Sequence, residues 1–488
     1  MIDQDLRVPL LIGGRRVETA EWLPVSNPAA PRMTVGYAAS ATKEHARQAV
    51  AVAQGAWKEW GALEPERRGE ILIAALERLN EAREQRAELL VRENGKVRFE
   101  AELDLRVFAA RCRLAAGLAG ELRNVRQMSA AHDGPAPALR SEVSRLALGV
   151  VTIIVPYNWP LAILAASLPY ALVAGNTVIV KVPPTTPLCI SQTLELLAAG
   201  LPAGVLNVVS GKNDAVAPLI TDPRVARVAF TGSTSSGKAV MKLAAESLTR
   251  VTLELGGNDP ALVLEDAELD RAAISRLALA CFLTAGQVCM GVKRIYVHRS
   301  RYAELVSGLS EVLAGYRVGD GLWPGTTMGP LNTARQRDFV RELTDEARAR
   351  GHEVRELGTL DEVALTTRGH FLRPALVLDP APDLRIVTEE QFGPAVPILR
   401  YDDLDGVIEQ VNGGWSGLCS SVWTADLDRA AAVAARLRTG TIWVNDANAM
   451  ALDDRAPFGG FRQSGIGREM GIEGLLEFTE ARTITYPA

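Results

Sequence analysis

The stretch Val150-Val-Thr-Ile-Ile-Val155, Pro156-Tyr-Asn-Trp-Pro160, an Ala/Leu-rich run and Thr177-Val-Ile-Val180 decides the fold. No charged residue occurs from Leu146 to Val180, a length that would cross a bilayer as one helix. Pro156, Asn158, Pro160, Pro169, Gly175 and Asn176 punctuate it, however, and β-branched runs flank its middle. Short apolar runs without polar alternation are the pattern of parallel strands covered on both faces. A buried strand–helix–strand unit is predicted, and no membrane span.

Working outward, residues 204–209, 225–230 and 251–255 read as further strands alternating with helices, which implies a parallel sheet with helices on both faces. A second α/β pattern opens after Asn258-Asp-Pro260, with strands expected at 261–264, 294–298, 371–377 and 440–444. Gly256-Gly257 is the expected hinge, and a cleft between lobes is a common ligand site. Upstream, residues 41–120 read as helices opening at Ala41-Thr42 and Glu64-Pro65-Glu66, after short extended pieces over 1–35. Periodicity lapses around Gly134-Pro-Ala-Pro137. Fragments at 123–126 and 139–143 predict a hairpin flap, which Thr483-Ile-Thr-Tyr486 is expected to join.

Composition narrows the function classes. A chain of 488 residues predicts two or three domains with ample core. With 53 basic against 58 acidic residues and no Lys/Arg block, a nucleic-acid surface is not expected. The five cysteines (112, 189, 281, 289, 419) are odd in number and lack CxxC spacing, so neither a disulfide framework nor a metal site is expected. The polar start, Met1-Ile-Asp-Gln-Asp, carries no secretory signal, and the expected location is cytoplasmic.

Several residues carry two readings each. Cys289, in Ala285-Gly-Gln-Val-Cys289, is either a small packing residue or a thiol open to substrate beside a strand. Asn158 either caps the helix opening at Pro160 or donates its amide to an oxyanion. Glu254 ends the apolar run Val251-Thr-Leu-Glu-Leu255, either at a solvent edge or as a buried base with a raised pKa. If residues 251, 253 and 255 face one way, Glu254 faces the other with Thr252. Gly232-Ser-Thr-Ser-Ser-Gly237-Lys238 nearly spells the phosphate loop of nucleotide hydrolases. Ala239 follows it, so the hydroxyl that would hold Mg²⁺ is missing. It can still present backbone N–H groups to a phosphate, with a helix expected over 238–247. Lys181, at a strand's C-terminal edge, either meets a cofactor or reaches solvent. Glu390, in Thr388-Glu-Glu-Gln-Phe392-Gly-Pro394, is placed to hold a ribose.

Taken in order, these segments resemble the NAD(P)-dependent aldehyde dehydrogenase superfamily over nearly the whole chain. The carriers are Pro156-Tyr-Asn-Trp-Pro160, Phe230-Thr-Gly232-Ser-Thr-Ser-Ser-Gly237, Leu253-Glu-Leu-Gly-Gly257, Gly286-Gln-Val-Cys289, Glu390-Gln-Phe392-Gly-Pro and Pro457-Phe-Gly-Gly-Phe-Arg-Gln-Ser-Gly465. The resemblance implies a Rossmann-like cofactor domain (1–122 and 146–256), an α/β catalytic domain (257–465) and a β-flap (123–145 with 466–488) that makes a homodimer or homotetramer. It implies that Cys289 attacks an aldehyde, that Asn158 and the Cys289 N–H meet the oxyanion, and that Glu254 activates water against the thioester. Val155, Pro156, Tyr157, Lys181, Gly232, Ser233, Gly237, Glu390 and Phe392 would hold NAD. Pro183 or Pro184 stands where NAD-preferring relatives carry glutamate, so NADP is expected to be accepted, with Lys181 or Lys212 near the extra phosphate. By position, Trp159, Ala162, Ile163, Ala166, Phe282, Met290, Leu452 and Phe458 would line the aldehyde channel, with Arg455 as the one basic residue at its mouth. That apolar set favours a medium aliphatic or aromatic aldehyde. The alternatives are a dehydrogenase that passes the acyl group to CoA and a non-catalytic protein on the same fold.

Overall fold

A computed structural model of the chain describes residues 6–130 and 139–487. The uncharged stretch folds as a strand, Val150–Ile154, a 14-residue helix, Pro160–Val173, and a second strand, Thr177–Lys181, paired in parallel with the first. Among the described residues no helix is long and apolar enough to cross a membrane. Pro160 occupies the first turn, where a missing N–H costs nothing, and the helix is buried almost throughout because sheet and helices cover all sides.

Around this unit lies an eight-stranded sheet. Its five central strands run parallel in the order Arg250–Glu254, Val225–Thr231, Val150–Ile154, Thr177–Lys181, Leu206–Val209. A hairpin of Leu10–Ile12 and Arg15–Val17 closes one edge, and Gly465–Ile466 adds antiparallel to Arg250–Glu254 at the other. A seven-stranded sheet forms the second α/β layer, in the order Glu353–Glu356, Ala375–Leu378, Ala395–Tyr401, Arg294–His298, Pro260–Val263, Cys419–Trp423, Thr441–Val444. All are parallel except the first. The architecture is thus α/β with Rossmann-like parallel sheets.

A third sheet pairs Leu139–Ala147 with Arg126–Ala130 on one side and Thr479–Pro487 on the other, both antiparallel. The aperiodic stretch Gly134-Pro-Ala-Pro137 lies outside the described residues.

The expected boundaries shift at three places. Residues 466–478 do not join the flap: Ile466 pairs with Leu253 in the first sheet, and helix Gly471–Glu477 packs against helix Pro160–Val173. The strand expected over 371–377 begins only at Ala375, since Pro374 cannot donate to a ladder. The helix expected over 238–247 spans Thr234–Ala244 instead, because the Ser233 side chain accepts from the Ser236 N–H and caps it within the glycine-flanked loop.

Candidate active site

Cys289 follows a backbone bent by sequence. Helix Arg271–Phe282 ends, and Thr284, Ala285 and Gly286 take positive φ values of 52°, 53° and 73°. At Gly286 a Cβ would also lie 2.3 Å from the Gly393 carbonyl oxygen, so only glycine fits. Side-chain hydrogen bonds, some to distant elements, hold this bend. Glu100 accepts from the Thr284 N–H (2.6 Å), and Gln287 Oε1 accepts from the Asn332 N–H (3.0 Å). Lys293, buried, donates from Nζ to the carbonyls of Gly286 (3.2 Å) and Val288 (2.6 Å). Asn158 does not cap its helix. Its Nδ2 donates to the Gln287 carbonyl (2.8 Å), two residues before the thiol, which leaves its second amide hydrogen free of any described partner.

Two cavities meet at this thiol. Asn158, Ile163 and Cys289 line both. The larger, about 570 Å³, runs past Pro156, Tyr157, Gly232, Ser233, Glu254, Gly256, Glu390 and Phe392. The smaller, about 220 Å³, is walled by Trp159, Ala162, Met290 and Leu452, together with Leu103, Val107 and Val288. Cys289 therefore sits where one chamber passes into the other.

Glu254 ends its strand with Leu253 and Leu255 packed in a hydrophobic cluster on the opposite side, as strand alternation requires. It is 4% exposed, and neither carboxylate oxygen has a hydrogen-bond partner among the described residues. Burial, then the nearby Glu469 carboxylate, raises its pKa well above the usual range, against which Arg468 acts weakly. Glu469 accepts from Ser167 Oγ (2.6 Å), and burial pushes it up to about 7. Burial also pushes the Cys289 thiol up to about 12; the Glu390 carboxylate adds to this, Lys293 opposes it, and Asp259 and Glu254 add further. The resting thiol is neutral at pH 7 and needs a base.

In the larger cavity, Glu390 lies against Gly256, where a Cβ would come within 2.0 Å of its Oε2. Its Oε1 has no hydrogen-bond partner among the described residues, and burial pushes its pKa up to about 7, against Lys293 and the Gly257 N–H. Phe392 meets Tyr157 edge-on with ring centroids 6.3 Å apart. Gly232 and Ser233 lead into the 11-residue helix Thr234–Ala244, whose N-terminal dipole suits an anion.

Some expected residues lie elsewhere. Val155, Lys181 and Gly237 are buried and are not among the residues that line the larger cavity. Burial lowers Lys181 to about 8. Lys212 donates to Glu21 (2.6 Å). Ala166 lies one helical turn beyond Ala162, in the core. Phe282 precedes the positive-φ reversal and packs edge-on against Tyr316, and Phe458 is tied through its backbone to Glu469. Arg455 is exposed and pairs with Asp453. Charge at the small cavity is instead a pair the sequence did not flag, Arg111 to Asp454 (2.7 Å), with Arg111 also donating to the Ala162 carbonyl (2.7 Å). Helical spacing of Leu103, Val107 and Arg111 was the one available signal for that wall.

Comparison with known proteins agrees with this geometry. The model of the aldehyde dehydrogenase family matches residues 16–484. Betaine aldehyde dehydrogenase of Brucella anthropi is 34% identical over 479 residues, covering 97% of this chain and 96% of that one. A crystal structure of betaine aldehyde dehydrogenase from Staphylococcus aureus in complex with NAD+ superposes with a TM-score of 0.91 at 30% identity, covering 98% and 94% of the two chains. An NADP-dependent enzyme of E. coli superposes with a TM-score of 0.92 at 30% identity, covering 99% and 98%.

Proposed function

From the premise that this chain belongs to the aldehyde dehydrogenase family, we propose that it oxidises a small apolar aldehyde to the carboxylic acid with NAD+, and accepts NADP+. The observation that carries the reading is the meeting of an apolar chamber and a polar, glycine-walled cleft at one thiol.

The cleft fits a dinucleotide. Glu390, with a buried oxygen to spare, suits ribose hydroxyls; the helix start at Ser233 suits the pyrophosphate; Pro156, Tyr157 and Phe392 offer flat walls. The nicotinamide, when bound, supplies a positive charge and a carbon that accepts hydride. The protein does the rest. Glu254, a strong base for a carboxylate because it is buried, takes the thiol proton directly or through water. Cys289 Sγ bonds to the aldehyde carbon, and the oxyanion meets the free Asn158 amide hydrogen and the Cys289 N–H. Loss of hydride from that carbon leaves a thioester on Cys289. Glu254, once it has passed the first proton to solvent, deprotonates the water that cleaves it and hands that proton to the departing thiolate, releasing the acid and restoring the thiol. Its place in the cleft supports water rather than CoA as acyl acceptor.

The smaller chamber supports an uncharged substrate. At about 220 Å³ it lies below the roughly 300–1,000 Å³ of drug-sized sites. A quaternary ammonium group is best held by open aromatic faces. Trp159 is the one aromatic side chain on the described wall, and Lys96 Nζ already sits over its ring at 4.0 Å. The one acid there, Asp454, is paired with Arg111. Assembly into a homo-oligomer through the third sheet is part of the same reading, supported by exposed Val125, Met128, Leu139, Leu146 and Ile484 on or beside its strands. So is a cytoplasmic location, where the five free thiols would stay reduced. The test is a panel of hexanal, benzaldehyde, betaine aldehyde and succinic semialdehyde, each with NAD+ and NADP+. Hexanal or benzaldehyde should give the highest kcat/KM; a preference for betaine aldehyde or the semialdehyde contradicts the reading. An NADP+ efficiency thousands-fold below that of NAD+ contradicts the tolerance.

A further inference from the structure

Away from Cys289, helices Arg83–Asn94, Arg98–Gly117 and Leu188–Ala198 enclose a second polar cavity of about 270 Å³. Four arginines line it, Arg83, Arg86, Arg106 and Arg113, joined by Asn80 and Thr193 over an apolar floor, and no carboxylate belongs to its described wall. Arg83, Arg106 and Arg113 make no ion pair among the described residues. Arg86 is only 2% exposed and built in: it donates to Thr193 Oγ1 (2.9 Å), to the Leu79 carbonyl and to the Glu81 carbonyl (3.2 Å). Its Nε–H, also buried, finds no acceptor among the described residues. Spacing along the helices makes the cluster: Arg83 and Arg86 are three apart, and Arg106 and Arg113 are seven apart, so each pair shares a helix face.

Arg86 is held by the protein's own carbonyls and hydroxyl, but the exposed guanidinium groups of Arg83, Arg106 and Arg113 gather around one cavity with no carboxylate on its described wall, and like charges so placed repel until an anion supplies the missing counter-charge. Guanidinium forks match phosphate oxygens two at a time. We propose that this cavity is a binding site for a compact phosphate polyanion, separate from the cofactor cleft. The small volume excludes a whole dinucleotide and fits two linked phosphate groups with little else. Leu103, Val107 and Arg111, which wall the substrate chamber, occupy a different face of the helix that carries Arg106 and Arg113, so the two sites are distinct.

The test is isothermal titration of the full-length enzyme with inorganic pyrophosphate at constant ionic strength, with NAD+ saturating the cofactor cleft. The parent should bind one pyrophosphate per chain. Arg106→Gln/Arg113→Gln, at exposed positions that leave the fold intact, should bind at least about tenfold more weakly at unchanged dehydrogenase activity, because two charge-assisted contacts are lost. Arg106→Lys/Arg113→Lys should recover only part of the affinity, since lysine keeps the charge without the fork. No saturable heat in the parent, or the same affinity in the glutamine variant, overturns the proposal. The second result would also locate the pyrophosphate at another site, the cofactor cleft included.

Discussion

Asn158→Ala separates the two jobs the proposed mechanism gives one amide. One hydrogen fastens the Gln287 carbonyl at 2.8 Å, and the other is left for the oxyanion. Loss of the oxyanion donor should lower kcat by about 10²–10³-fold, or roughly 3–4 kcal/mol of transition-state stabilisation. Loss of the other bond leaves the Gln287 carbonyl buried and unmatched, at about 1–3 kcal/mol of stability, which calorimetry would record as a melting temperature lower by several degrees. Two assays tell these effects apart: steady-state kcat with the best aldehyde, and the rate at which iodoacetamide alkylates Cys289, which needs the thiol but no oxyanion site. Turnover should collapse while alkylation stays within a few-fold of the parent. The reasoning is refuted if kcat falls less than about tenfold. It is refuted equally if alkylation falls in step with kcat, since Asn158 would then act only by shaping the loop.

Lys293→Met removes the cation that tethers the Gly286 and Val288 carbonyls and opposes the rise of the thiol pKa. It should slow Cys289 alkylation at pH 8 at least several-fold and cost about 2 kcal/mol or more of stability, read by the same two measurements. The pH dependence follows from the same burial. The reactive form of Cys289 is the thiolate and its pKa is raised to about 12, so alkylation of the cofactor-free enzyme should climb steadily from pH 7 to pH 10 without levelling off. A plateau by pH 8 would mean that the thiol is already ionised. Gly256→Ala places a methyl group where Glu390 Oε2 now lies, and should raise the KM for NAD+ about tenfold or more with a smaller change in kcat, measured by varying NAD+ at saturating aldehyde.

Much of the site was legible because its chemistry is local. Asn158, Glu254 and Cys289 each sit within a few residues of prolines or glycines that bend the chain, and short apolar runs fixed their strands. The strand alternation that turned Glu254 away from Leu253 and Leu255 could be read directly. What failed was depth and reach. Ala166 shares a helix face with Ala162 but lies a turn deeper, and Phe282 is carried off by two residues, Thr284 and Ala285, in a left-handed conformation that their identities do not announce. Glu100 accepts from the Thr284 N–H 184 residues away, and the Asn332 N–H donates to the Gln287 side chain across 45 residues, and no periodicity links either pair. Arg111 and Asp454 are 343 apart. Lys96 over Trp159, which bears on the substrate, is a packing fact of the same kind.

The central claim is that aldehyde carbon passes through a covalent bond to Cys289 and leaves by way of Glu254. Glu254→Gln, mixed with aldehyde and NAD+ and followed by stopped-flow absorbance and intact-protein mass spectrometry, tests it directly. The account predicts a burst of about one NADH per chain, loss of steady turnover, and the mass of one acyl group on the peptide containing Cys289. Sustained turnover near the parent's rate, or an acyl group carried by any other residue, contradicts it.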